Sequence, residues 1–191
     1  LPGSDVKGRN PFKDVRVRRA VQLAIDTELI VRQVLRGEGK VTGSFLSPLV
    51  DGYVAAFEQR PKADAPAARA LLKEAGYKGE KVVILDPVEA HLAHSQAVVT
   101  AQKLREIGMN VDLQAIDWGT QSARRQIKDP PDKNPGAWNI FHTWGGGLAM
   151  NSPLSNTPTP SACDGKNWFG WPCDEELEKI RLEFPLAPPE K

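Results

Sequence analysis

The chain has little of what usually identifies a protein at a glance. It carries two cysteines, two methionines, two tyrosines and three histidines in 191 residues. No apolar run approaches the roughly 20 residues that a membrane-spanning helix needs. Neither sign of charge dominates: 25 Lys and Arg stand against 24 Asp and Glu. That balance argues against a nucleic-acid partner, which calls for a basic patch, and against an acidic tail. The sequence also lacks G-x-S-x-G, H-E-x-x-H, C-x-x-C and G-x-G-x-x-G, so it shows no nucleophile elbow, zinc-protease helix, redox dithiol or dinucleotide fingerprint. No internal repeat is present.

What the chain does have is enough apolar content, 40%, for one full-sized core or at most two small ones. Asn10–Gly37 opens with a good cap, Asp14, before Val17, Ala20, Val21 and Ala24 at helical spacing. Asp26 caps a second segment carrying Leu29, Ile30, Val34 and Leu35, with Gly37 as its stop. A long loop to about Lys62 follows. Its apolar residues Phe45, Leu46, Leu49, Tyr53 and Phe57 are expected to pack inward. Ala63–Ala75 reads as a helix with Ala67, Leu71 and Leu72 inside, closed by Gly76.

Beyond Gly76 the pattern alternates. Lys81–Leu85 is a buried strand rich in β-branched residues. Asp86–His91 reads as a polar loop. Ala93–Ile107 is an amphipathic helix with Ala97, Val98, Ala101 and Leu104 inward. Asn110–Ile116 alternates like a strand, Asp117 caps a helix to about Ile127, and Trp138–Trp144 is a third strand. Strand, helix, strand, helix, strand predicts an α/β fold with parallel pairing. From Gly145 the composition turns to Pro, Ser, Asn and Thr, and Asp174 caps a last helix, Glu175–Arg181.

Four groups of residues can carry chemistry, and each has a plainer reading. Gly145, Gly146 and Gly147 follow a strand, where glycines admit a ligand close to the backbone or simply make a turn. Asp86, Glu89, His91 and His94 cluster after the first strand. Acidic residues also suit a helix start, which is the better account of His94 and its neighbours. Asp86, Glu89 and His91 remain ligand contacts because loops at strand carboxyl ends line crevices in α/β sheets. No convergent set for nickel or zinc is evident, and no cofactor is implied. Trp118 offers a stacking surface, and Arg124 or Arg125 an anion partner; a core Trp with solvated arginines is the alternative. Cys163 and Cys173 enclose Asn167-Trp168-Phe169-Gly170-Trp171-Pro172. In an oxidising compartment they form a disulfide; in a reducing one they are free thiols or half a metal site. The three aromatics form either a ligand wall or a local core.

The order of several motifs resembles one family. Pro11-Phe12, Asp14-Val15-Arg16-Val17-Arg18, Ala24-Ile25-Asp26 and Leu35-Arg36-Gly37 are similar to the segment that opens the second lobe of extracytoplasmic solute-binding proteins of ABC importers, the dipeptide, oligopeptide and nickel-binding family 5. Leu71-Leu72-Lys73-Glu74-Ala75-Gly76-Tyr77 resembles the helix end before that lobe's first strand. Asp117-Trp118 with Arg124 and Arg125 resembles an acidic-Trp…Arg stretch of the dipeptide binders.

The resemblance implies a type II periplasmic-binding fold: a mixed, mostly parallel sheet flanked by helices, with a disulfide-closed loop at Cys163 and Cys173. It implies that residues 1–191 form one domain, lobe two, with lobe one before residue 1 and a return segment after residue 191. It implies a periplasmic or membrane-associated extracytoplasmic location, a small-molecule solute and ABC permease subunits as partners, and no catalysis. Ligand contacts are then expected at Asp86, Glu89, His91, Trp118, Trp144, Gly145, Gly146 and Gly147. In peptide binders of the family an Asp three positions after the strand-end Trp pairs with the peptide ammonium. Here Trp144 matches the Trp, and the third position is Gly147. A ligand held by a free amine is therefore disfavoured, since a desolvated ammonium needs a counter-charge. The competing class is a small α/β hydrolase or metal-dependent enzyme using His91, His94 and His142. A protein-interaction module using the Trp-rich loop is a third reading.

Overall fold

The structure is a computed structural model, and it describes residues 10–44, 46–49 and 53–187. The chain divides into two compact units. The first comprises residues up to Val41 together with Pro61–Trp144; the second comprises Thr42–Arg60 and the residues from Gly145 onward.

The described part of the first unit starts with Asn10, whose side chain accepts the Phe12 N–H at 2.9 Å. Asp14 then caps helix α1 (Val15–Ala24), accepting the Arg16 N–H at 2.8 Å, and Asp26 caps α2 (Thr27–Gln33) by accepting from Leu29 at 2.8 Å. These caps satisfy backbone donors that a helix start leaves open. Helix α2 stops before the expected glycine: Arg36 already adopts φ +53°, and Gly37 follows at +84°. Helix α3 (Ala65–Glu74), capped by Asp64, buries Ala68 and Leu72. Of the expected inward residues Leu72 is buried, Leu71 packs partly buried against the core and Ala67 is half-buried, with Ala68 added.

Strand β1 (Lys81–Pro87) runs between β2 (Asn110–Ile116) and β3 (Ile140–Phe141), all parallel, in the order β2-β1-β3. Val82–Leu85 are buried on both faces of the sheet, as an uninterrupted β-branched and aliphatic run requires. On one side α4 (His91–Glu106) lays Ala97, Ala101 and Leu104 against Val82 and Ile84, and α1 and α3 add Val17, Ala20 and Leu72 to that core. Each buried Val, Ile or Leu among these contributes roughly 1.5–3 kcal/mol on burial, and each alanine methyl less. Val98, expected inside, is exposed. On the other side lies α5 (Trp118–Arg124), capped by Asp117, which accepts from the Thr120 N–H at 2.8 Å.

Two strand expectations change. Strand β1 reaches through Asp86 to Pro87, because Asp86 pairs in register with Ala115 and Pro87 with Ile116; Asp86 is therefore a strand residue and not part of a polar loop. Strand β3 is two residues rather than seven. Its flanks are drawn off by side chains: Asn139 Oδ1 accepts the Val83 N–H at 2.8 Å, and Trp138 Nε1 donates to the Arg124 carbonyl at 3.0 Å.

In the second unit Gly43 donates to the Glu58 carbonyl at 3.1 Å, and a Cβ there would lie 2.4 Å from the Phe57 carbonyl oxygen, so only glycine fits. A short 3-10 turn, Ala55–Glu58, occupies the loop. Leu49 and Phe57, expected to anchor it inward, are 93% and 65% exposed. Phe45 lies outside the described residues. Cys163 and Cys173 form a disulfide, and Asn167 Nδ2 laces the loop by donating to the carbonyls of Pro172, at 2.8 Å, and Ala162. Helix α6 (Glu175–Glu183) is capped by Asp174. Its Glu178 accepts the Ser161 N–H at 2.8 Å and pairs with Arg181 at 2.6 Å; the Arg181 bonds, then the Ser161 bond, hold the carboxyl down at about 2.

Candidate functional site

The parallel register brings the carboxyl ends of β1 and β2 level, and the expected ligand residues of the first unit sit at the strand ends. Asp86, 3% exposed at the end of β1, receives His94 Nδ1 from α4 at 2.6 Å. Glu89, in the turn after β1, accepts the Trp118 backbone N–H at 2.8 Å and so ties the β1 turn to the start of α5. His91 is exposed at the first position of α4. Both candidate carboxylates thus already have internal partners, and Glu89 and His91 lie at the surface while Asp86 is buried.

The aromatic residues form the most ordered feature. Trp118, at the start of α5, stacks on Trp144 beyond β3, with ring centroids 4.7 Å apart and planes at 23°. That is close to the offset-stacked geometry that aromatic pairs favour. Trp144 is 57% exposed. The Arg125 guanidinium carbon lies 5.5 Å from the Trp118 ring centre and 5.3 Å from that of Phe141, within cation–π range of both. Arg124 turns instead to the backbone: it donates to the carbonyls of Gly136 at 2.6 Å and Ala137 at 3.2 Å, and to Gln114 Oε1 at 2.8 Å. Neither arginine of the pair is a solvated charge waiting for an anion; burial lowers the pKa of both.

Behind the rings lies a buried polar seam. Gln121, fully buried on α5, donates from Nε2 to the His142 carbonyl at 3.1 Å. His142 Nε2 is 3.0 Å from Thr100 Oγ1 on α4. Burial pushes the His142 pKa down to about 4, against the opposing pull of the Asp86 charge, so the ring is neutral near pH 7. Gln121 Oε1 and His142 Nδ1 are buried without a hydrogen-bond partner. Sequence reading did not find this seam. A glutamine in the middle of a polar-looking helix gives no periodic signal, and a lone histidine in a strand points equally to either face.

The three histidines do not converge in a shared cluster. His94 is engaged by Asp86, His142 by Thr100, and His91 is at the surface; among the described residues no group of three His, Cys, Asp or Glu side chains is placed to hold a metal ion. Gly145, Gly146 and Gly147 begin the second unit. A Cβ on Gly145 would meet Met150 Cε at 2.3 Å, whereas those on Gly146 and Gly147 would meet nothing within 4 Å. In the same unit Trp168 and Phe169 pack tilted at 4.8 Å and line a cavity of about 430 Å³ with Lys166 and Asn156, while Trp171 sits at φ +44° and does not line it.

The α/β fold with its parallel sheet is that of type II periplasmic binding proteins. Residues 5–160 match the family described as bacterial extracellular solute-binding proteins, family 5 Middle, and the chain belongs to that family. It is 33% identical over 181 residues to the probable peptide ABC transporter periplasmic-binding protein y4tO of Sinorhizobium fredii, covering 91% of this chain and 33% of that protein. It is 31% identical over 163 residues to the oligopeptide-binding protein AppA of Bacillus subtilis, covering 69% of this chain and 29% of that protein. The structure of the periplasmic binding protein DppA of Helicobacter pylori in complex with the peptide STSA aligns with a TM-score of 0.73 at 19% identity, over 92% of this chain and 33% of the other. The chain therefore spans about a third of the length of these relatives.

Proposed function

We propose that this chain is the second lobe of the substrate-binding component of an ABC importer, working outside the cytoplasm. Its relatives are named as binding proteins for peptide transport, and the reading extends that role to this chain. The solute binds between this lobe and a first lobe, the two close on it, and the closed form docks on the permease. No bond of the solute is made or broken.

The observation that carries the reading is the Trp118–Trp144 stack, with Trp144 57% exposed, at the strand ends. An exposed, rigid ring pair is a surface for capturing a ligand, and ligand sites in open α/β sheets lie beyond the strand carboxyl ends. Trp118 and Trp144 are the proposed ligand contacts, with His91 at the rim; Asp86 and Glu89 shape the site through His94 and α5. The solute is peptide-like or another small molecule without a free ammonium at the Gly147 position. Native mass spectrometry of the two-lobed protein, purified without denaturation, tests the proposal. A small molecule should accompany the protein and be lost in Trp144→Ala. A protein that carries none, and whose melting temperature no candidate solute raises, would sink it.

A further inference from the structure

We propose that Gln121 is the positioning residue of the aromatic platform: its buried amide, by donating to the His142 carbonyl, sets helix α5 against the end of β3 so that Trp118 and Trp144 stack. The proposal rests on the reading of that platform as a solute contact only for its functional meaning; the geometry is independent of it.

Trp118 and Trp144 belong to different elements, one opening α5 and the other lying beyond β3. Their 4.7 Å separation therefore depends on whatever fixes α5 to the chain after β3. Gln121 lies three residues after Trp118 on α5, and His142 two residues before Trp144, so the 3.1 Å Gln121–His142 bond fastens α5 to the chain between the two rings, beside the Arg125 contacts with Trp118 and Phe141. Arg124 and Trp138 fasten the other end of α5, through the Gly136 and Ala137 carbonyls and the Trp138 indole N–H. Glu89 fixes the first turn through the Trp118 N–H.

The amide is an expensive choice if packing were its only role. Gln121 is fully buried, and its Oε1 has no hydrogen-bond partner, as is true of His142 Nδ1 next to it. A side chain of similar volume without polar atoms would fill the same space and bury no unpaired amide oxygen, but it would take from the His142 carbonyl the donor that Gln121 supplies. What only the amide supplies is the directed N–H to the His142 carbonyl. Local stability is conceded at a joint whose product is a defined ring geometry, the pattern found where function constrains a core.

The test reads the ring pair directly. Two stacked indoles couple their excited states and give a paired positive and negative band in the far-ultraviolet circular dichroism. The difference between the full chain and Trp144→Phe isolates the band due to this pair. Gln121→Met, matched in volume, should unfold cooperatively but lose most of that band. Gln121→Glu should lose it when the carboxyl is ionised and regain it on acidification, when the protonated acid donates to the His142 carbonyl, with the unsubstituted chain followed over the same pH range as reference. A band of full amplitude in cooperatively folded Gln121→Met overturns the proposal. If Gln121→Met does not fold, a pH-independent band of full amplitude in Gln121→Glu overturns it instead. The solute reading is judged separately, by ligand retention in Trp144→Ala of the two-lobed protein: failure there leaves the positioning result standing.

Discussion

Asp86 Oδ1 and His94 Nδ1 are 2.6 Å apart, yet one residue is 3% exposed and the other is far more open to solvent. The pair is asymmetric, and so are the costs of breaking it. Removing the buried member leaves a histidine that water can solvate; removing the outer member leaves a carboxylate shut inside the sheet. His94→Ala should therefore destabilise the chain by about 1–3 kcal/mol, more than its exposure suggests. Adding Asp86→Asn to it should recover much of the loss. Urea denaturation of both single variants and the double variant measures the coupling; additive effects would show that the pair is energetically idle.

A second expectation concerns acid. His142 has a folded-state pKa near 4, below the ordinary 6.5, because burial penalises the charged ring. Between those values the unfolded chain binds a proton that the folded chain refuses. The stability this group contributes is thus complete above about pH 6.5, and it drains away as the pH falls toward 4, by a total of about 3 kcal/mol. Below pH 4 both states are protonated and the slope from this group vanishes. His142→Gln should flatten the stability profile across that interval in chemical denaturation at stepped pH, and an unchanged profile would remove His142 as its source.

Gly147 provides a gain-of-function test. A Cβ at this position meets nothing within 4 Å, so Gly147→Asp is sterically open. It places a carboxylate at the position where peptide-binding members of the family hold the ligand's ammonium. In the two-lobed protein, calorimetry with tripeptides should show weak or no binding before the substitution and measurable binding after it. Sub-micromolar binding of unrelated peptides by the unsubstituted protein would refute the idea that the missing carboxylate sets the ligand class.

The disulfide gives a fourth. Cys163 and Cys173 close a loop of ten positions. In the chain-entropy account such a loop is worth about 2–3 kcal/mol. Reduction and alkylation should lower the urea midpoint accordingly. The pocket beside Trp168 and Phe169 should become more accessible to a soluble quencher. Identical midpoints with and without reductant would mean that Asn167, through Ala162 and Pro172, holds the loop alone.

The sequence was legible where one local rule acted without competition. Asp14, Asp26, Asp117 and Asp174 each cap the helix they precede, and Asn110–Ile116 is the strand its alternation describes. Legibility failed where a side chain replaced the backbone as bonding partner. Asn139 keeps its backbone N–H on the Val83 carbonyl, but its side-chain oxygen takes the Val83 N–H that a backbone carbonyl would accept in a regular ladder, and the strand-like residues pair over only two. It failed again with Asp86, read as loop because it is charged, although a partner from the next helix lets it sit inside a strand. Family resemblance located Trp118 and Trp144, but nothing in one dimension shows that they touch. Gln121, behind them, carries no sequence signal, and His142 stands out only as a candidate for an enzyme reading, not as the buried partner of Thr100 and Gln121.

Asn139 has one more consequence. Val83 gives its N–H to the Asn139 side chain at 2.8 Å and receives the Asn139 backbone N–H on its carbonyl at 2.9 Å. A single residue thus occupies both hydrogen-bonding groups of the central strand at the point where the β1–β3 ladder begins. Asn139 thus carries the hydrogen bonding of the central strand one position beyond the two-residue ladder, so β1 keeps a partner where the third strand gives out.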